Sequence, residues 1–252
     1  MIITCALEME AKPIISHYKL RKRPLVPIWE NSDIILAVTG SSLIYAALGV
    51  AKVGKSGGKF LNIGIGGHKN FEIGTPLIAN KIHFEHFIEY PQIIFTPPCK
   101  THSIRTVLKP ENTYPDHNVY EMEGYGFFKA ALTFTDCELI TLLKIISDNK
   151  LHPIKELSKN TVSILIEQNF NIIEKTIEAL QNLPCSSPPV DLSPFLTKTH
   201  FTESQTLKLK RLLERARALK IPKDDTLFET KYTSDQILKT LEDKVTSTEL
   251  KL

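Results

Sequence analysis

Three acidic stretches lie far apart in the chain: CALEMEA with Glu8 and Glu10, VYEMEGYGFF with Glu121, Met122 and Glu123, and KIISDN with Ser147 and Asp148. Several carboxylates brought to one place can divide the roles of acid, base and hydroxyl acceptor when their environments set their protonation apart. Taken singly, each stretch has a plainer reading as a helix cap or surface charge, and Glu121 could simply complement a helix dipole. A glycine stretch, NIGIGG from Asn62 to Gly67, lies between the first two. Glycine there would let a ligand approach the backbone.

The elements that must position these residues alternate between short apolar runs and helix-period stretches. Met1 to Leu7, Asp33 to Thr39, KFLNIGIGG, residues 75–80, Ile93 to Thr96 and Glu138 to Ser147 read as strands. Pro13 suits the first turn of a helix that runs to about His17. Residues 42–53, Tyr120 to Phe134 and Asn160 to Leu183 read as helices, and NIGIGG as a turn ending its strand. In such an α/β sheet, ligands settle beyond the carboxyl ends of strands, and the acidic stretches occupy predicted strand ends or, for VYEMEGYGFF, a helix start.

GVAKVGKS, Gly49 to Ser56, fits the phosphate-loop pattern G-x-x-x-x-G-K-S/T letter for letter. The pattern works only where a strand enters the loop and a helix leaves it. Here the order is helix, loop, strand, so a nucleoside triphosphatase is not expected.

A chain of 252 residues with net charge +3 is long enough for a large domain with an appendage and gives no argument for nucleic acid. No apolar run reaches the length of a membrane span, and the first residues lack the basic start of a signal peptide. Four cysteines stand far apart without a C-x-x-C pair, so neither a metal centre nor a disulfide framework is suggested. HFEHF, with His83 and His86, has metal-like spacing only on a helix and lacks a third ligand. A cytoplasmic protein without cofactor or metal is the expectation. PCSSPPVDLSP reads as a linker dividing a domain over 1–185 from a helical extension over 186–252, with helices near Glu203 to Leu219 and Ser234 to Val245. The cations of KLKRLLERARALK read as a solvated helix face.

Together and in this order, the motifs resemble the purine nucleoside phosphorylase and nucleosidase superfamily, above all its methylthioadenosine/S-adenosylhomocysteine nucleosidase branch, from Met1 to about Asn149. A-L-E-M-E is similar to the first-strand motif, N-I-G-I-G-G to the glycine turn, E-M-E to the ribose-holding motif and I-S-D to the motif of the purine-protonating aspartate. The spacing of 25 residues from Glu123 to Asp148 fits a helix followed by a strand. The resemblance implies a three-layer α/β fold with a mixed central sheet, a small-molecule nucleoside as ligand and a homodimer.

It also implies roles. Cleaving an N-glycosidic bond builds positive charge on the sugar and negative charge on the base. A neutral acid beside the base lowers the barrier by proton donation, the role of Asp148, and burial is the general means of keeping a carboxyl neutral. Glu10 would take a proton from water. Glu123 would accept from the sugar hydroxyls while Met122 packs on the sugar. Gly66, Gly67, Ser147 and Glu121 would line the base pocket, and Gly40, Ser41, Lys144 and Arg105 are candidates for a phosphate or water site. The chain departs from the branch at Ile65, where a serine is often found, and at Lys144, where an arginine stands. Its segment between the glycine stretch and E-M-E is shortened. Hydrolysis, phosphorolysis and a non-catalytic nucleoside-binding protein all remain open at this level, with hydrolysis favoured because Glu10 would repel phosphate.

Overall fold

The structure is a computed structural model. It describes residues 1–184, 190–219, 221 and 232–249 and has two compact units, Met1–Ser187 and Pro188–Leu252. Residues 185–189 of the linker stretch, Cys185 among them, lie outside the described residues.

In the first unit the chain runs β1 (Ile2–Cys5), α1 (Glu8–His17), β2 (Arg21–Lys22), β3 (Ile28–Glu30), β4 (Ile35–Val38) and α2 (Leu43–Val53). It continues as β5 (Phe60–Gly67), β6 (Pro76–Phe84), β7 (Phe87–Glu89), β8 (Lys100–Thr106), β9 (Val119–Glu121) and α3 (Gly124–Ala131). Finally come β10 (Ile140–Asp148), α4 (Lys159–Gln168) and α5 (Phe170–Asn182).

The strands join one mixed sheet with β5 at its hub. Along one edge β5 pairs in parallel with β10, from Phe60 opposite Ile140 to Gly67 opposite Asp148. On the other edge β1 pairs only with Phe60, Leu61 and Asn62, and β9 meets the strand only at Gly67. From β10 the sheet continues through β6 and β8 to β9 and so back to β5, closing a small barrel. From β1 it continues as an open sheet through β4, β3 and β2. Between β1 and β9, residues 63–66 of β5 therefore face no strand on that edge, and the gap is where the acidic stretches meet.

Both faces of β5 and β10 are covered, which explains their nearly unbroken apolar runs. Ala46, Val50, Phe127 and Phe128 of α2 and α3 pack on one side with Phe60 and Leu142. Ala11, Ile14, Ile166, Ile173 and Ile177 of α1, α4 and α5 pack on the other with Leu61, Ile63, Leu143 and Ile145. The result is a three-layer α/β architecture.

Several local expectations need correction. Pro13 stands inside α1 rather than in its first turn. The ring removes a donor to the Met9 carbonyl four residues back, and Ser163 Oγ of α4 supplies one at 2.8 Å. Ile93 to Thr96 is not a strand. Ile93 and Phe95 pack against the core as irregular chain between prolines, and the strand of that region is β8. NIGIGG is not a turn but the last six of the eight residues of β5. The stretch from Tyr120 to Phe134 begins as strand β9, with Glu123 as the N-cap of the shorter α3. The single long helix expected over 160–183 is two, because Asn169 turns its side-chain amide onto the carbonyls of Gly74 and Leu165. Gly49 lies within α2, and GKS follows that helix, so no strand feeds the phosphate-loop pattern.

The second unit contains α6 (Ser193–Leu196), α7 (Glu203–Ala218) and α8 (Ser234–Glu249). Its own core joins Phe195, Phe201, Leu209, Leu212, Ile237, Leu238 and Leu241. A capping box of Thr202 and Gln205 starts α7. Its cationic face carries ion pairs, Lys208 with Glu242 at 2.8 Å and Lys210 with Glu214 at 3.9 Å. Among the described residues, no helix is long and apolar enough to cross a membrane.

Candidate active site

Glu10 fills the gap beside β5. β1 ends at Cys5, the chain turns into α1, and the third residue of that helix returns its side chain under the turn. Glu10 Oε2 accepts from the Leu7 amide at 2.9 Å, and Oε1 accepts from the Ile65 amide at 3.0 Å. The carboxylate thus takes the place of the missing strand. Gly64 makes room for it, since a Cβ there would lie 3.2 Å from Glu10 Oε1 and 3.4 Å from Lys144 Nζ. Burial pushes the Glu10 carboxyl up, against the opposing pull of the Leu7 and Ile65 amides and the Lys144 charge.

The end of β9 supplies the second group. Glu121 is buried and saturated: the Glu123 amide (3.0 Å), the Gly124 amide (2.6 Å), the Thr106 hydroxyl (2.5 Å) and the Lys144 ammonium (2.8 Å) all donate to it. Burial alone would raise this carboxyl, but Lys144 and the other donors hold it below the usual range. Burial works against the Lys144 charge, and Glu121 and Glu123 outweigh it and hold the ammonium above its ordinary value. Removing Lys144 would leave the Glu121 charge buried without a counter-charge. Glu121 is thus a cap for α3 and the partner of Lys144, and it also lines the cavity that it shares with Glu10.

Glu123 has greater freedom. Ser41 Oγ donates to its Oε1 at 2.8 Å and lies 3.7 Å from Met122 Sδ. Lys144 Nζ is 4.0 Å from its other oxygen. Burial, together with repulsion from Glu121 and Glu10, outweighs Lys144 and raises this carboxyl to about 7.

Asp148 ends β10. Ser147 Oγ donates to its Oδ1 at 2.5 Å, and the Tyr114 hydroxyl donates to its Oδ2. Gly67 leaves the space that the carboxylate uses, because a Cβ there would stand 2.2 Å from Asp148 Oδ2 and 2.6 Å from the Tyr114 ring.

These groups share one cavity of about 160 Å³, lined by Glu10, Ser41, Gly66, Gly67, Glu121, Met122, Glu123, Ser147 and Asp148. Leu7, Ile65 and Ile154 give it apolar walls. Gly40 and Arg105 are not among the lining residues. Arg105 pairs with Asp116 at 3.1 Å and Lys144 is committed to carboxylates, so of the four residues expected at a phosphate or water site Ser41 is the one that lines the cavity. His83 lies on β6 and His86 in the turn to β7, and no cluster of metal-binding side chains occurs among the described residues. The sequence reading missed Tyr114, Leu7 and Ile154. Nothing in the spacing of TYPD marks Tyr114, whose partner is 34 residues away.

No protein-family model and no curated protein matches the sequence. Solved structures do match. A variant of the nucleosidase MTAN from Chlamydia trachomatis superposes with a TM-score of 0.60 at 13% identity, over 71% of this chain and 97% of its own. The apo 5′-methylthioadenosine nucleosidase of Arabidopsis thaliana gives 0.55 at 13%, over 73% and 96%. An MTA/SAH nucleosidase gives 0.53 at 15%, over 72% and 98%. The chain has the fold of the MTA/SAH nucleosidases. The Chlamydia protein is also known bound to MTA and bound to adenine, and those structures superpose with TM-scores of 0.56 and 0.57.

Proposed function

We propose that the chain hydrolyses the N-glycosidic bond of a purine nucleoside or a 5′-modified nucleoside and releases the free base. The observation that carries this reading is the convergence of Glu10, Glu123 and Asp148 on one cavity where β1 and β9 part along β5. Water attacks C1′ and gives a proton to Glu10. The bond from C1′ to the base nitrogen breaks, its electron pair leaves with the base, and Asp148 delivers a proton to the base. Glu123 accepts from the sugar hydroxyls, and Met122 packs on the sugar ring. The neighbours known with MTA and adenine support a purine ligand, and the apolar Leu7 and Ile154 suit an uncharged 5′ substituent.

Water is favoured over phosphate as the nucleophile. Five acidic side chains line the cavity, Lys144 beside it is neutralised by Glu121, and Arg105 is spent on Asp116. The test is incubation with a nucleoside panel, with and without phosphate, and chromatography of the free base. Base release independent of phosphate is expected, with Glu10→Gln slower by about 10²–10⁴. Release that requires phosphate would make the chain a phosphorylase. Nucleoside binding without release, and no effect of Glu10→Gln, would make it a binding protein.

The same reading includes a homodimer. Ile44, Tyr45 and Leu48 form an apolar stripe on α2, 65%, 56% and 51% exposed, directly after Ser41 and Ser42. A second copy laid on this stripe would cover the sugar side of the site.

A further inference from the structure

The cavity is small for its proposed ligand. Small-molecule sites usually enclose about 300–1,000 Å³, against about 160 Å³ here. The loop between β8 and β9 is responsible for part of the difference. Pro110 and Glu111 of that loop line the cavity, and Tyr114 is 1% exposed with its hydroxyl on Asp148 Oδ2. Ser147 occupies the other oxygen, so both oxygens of the proposed acid are already engaged from within the chain.

The loop is fastened at its two ends, and between them by that bond and by the buried Tyr114 ring, which stands edge-on to Tyr120. At the start, the Val107 amide donates to the Glu121 carbonyl at 2.8 Å. At the far end Asp116 pairs with Arg105, and the His117 carbonyl accepts from the rings of His68 and His102. Between them, the side chain of Glu111 accepts from the amide and hydroxyl of Thr113 within the loop. Among the described residues, the bond from Tyr114 to Asp148 is the only hydrogen bond that ties residues 108–115 to the rest of the chain. Tyr114 also has φ +46°, a left-handed conformation that a tyrosine keeps only where its surroundings impose it.

We propose that residues 108–115 are a latch: the Tyr114 phenol holds the position on Asp148 that the departing base would take, and the loop swings out when a base or nucleoside replaces it. This rests on the function proposed above. Binding exchanges one hydrogen bond to Asp148 for another, and moving Pro110 and Glu111 with the loop enlarges the cavity. Tyr114 then sets apparent affinity, because every ligand must first break its bond.

Chemical modification of tyrosine on the full chain, with and without adenine and located by peptide mass spectrometry, tests this alongside calorimetric titration of adenine into the native chain and Tyr114→Phe. Tyr114, buried in the closed loop, should become reactive when adenine is added. Tyr114→Phe should bind adenine about five- to tenfold more tightly, the worth of one net hydrogen bond. Equal or weaker binding by a folded Tyr114→Phe chain, or a native Tyr114 left equally or less reactive by adenine, overturns the latch. The native modification decides alone if the variant does not fold. A chain that releases base from nucleosides while Tyr114 stays unreactive loses the latch and keeps the function. One that neither releases nor binds base loses both.

Discussion

Glu123 is the carboxyl of the site whose charge changes near neutrality. Its pKa of about 7, against an ordinary 4.5, means that the folded chain holds this proton more tightly than the unfolded chain does. The linked stability is therefore fully present below about 4.5 and is lost as pH rises through about 7. Ligand binding runs the other way. An ionised carboxylate is an acceptor only, the form that two sugar hydroxyls require. Ribonucleoside affinity is expected to rise several-fold from pH 6 to pH 8, while a 2′,3′-dideoxynucleoside, which lacks those donors, shows no such rise. Titration calorimetry at a series of pH values checks both.

At the scale of elements, the site is a product of where strands part. Glu10 comes from the first turn of α1 after β1, Glu123 from the N-cap of α3 after β9 and Asp148 from the end of β10. Glu10 and Asp148 close against Ile65 and Gly67 of β5. Gly67 shows how tight the construction is. In Gly67→Ala the new methyl must displace Asp148 and Tyr114 together, so kcat is expected to fall by about a hundredfold, the scale of a misplaced reacting group. Steady-state assays and a thermal melt measure the activity loss and the packing cost separately.

Much of this arrangement could be read before the fold was seen. β10 and α2 declare themselves by an apolar run interrupted at Thr141 and Lys144 and by an amphipathic period, and E-M-E and I-S-D mark the residues that meet. Other parts could not be read locally. β9 is three residues long and held by β8 and β5, which override the helix pattern of the residues after it. The break between α4 and α5 depends on a carbonyl of Gly74, 95 residues away. NIGIGG looks like a turn because glycines usually make turns, whereas here they make room for carboxylates from other elements.

The whole molecule presents the α2 stripe as its clearest candidate contact between copies. Leu48→Glu puts a charge in the middle of that stripe, and the expected outcome is a shift from dimer to monomer in analytical ultracentrifugation. An unchanged sedimentation coefficient would remove α2 from the interface.

The hub position of β5 also bears on biosynthesis. Its second edge is supplied by residues 140–148, so a nascent chain that has reached α3 already carries Glu10 and Glu123 yet leaves eight residues of apolar strand uncovered. Until β10 emerges from the ribosome, that bare flank is open to pairing with other polypeptides. Premature termination in this stretch should therefore yield insoluble fragments rather than weakly active ones.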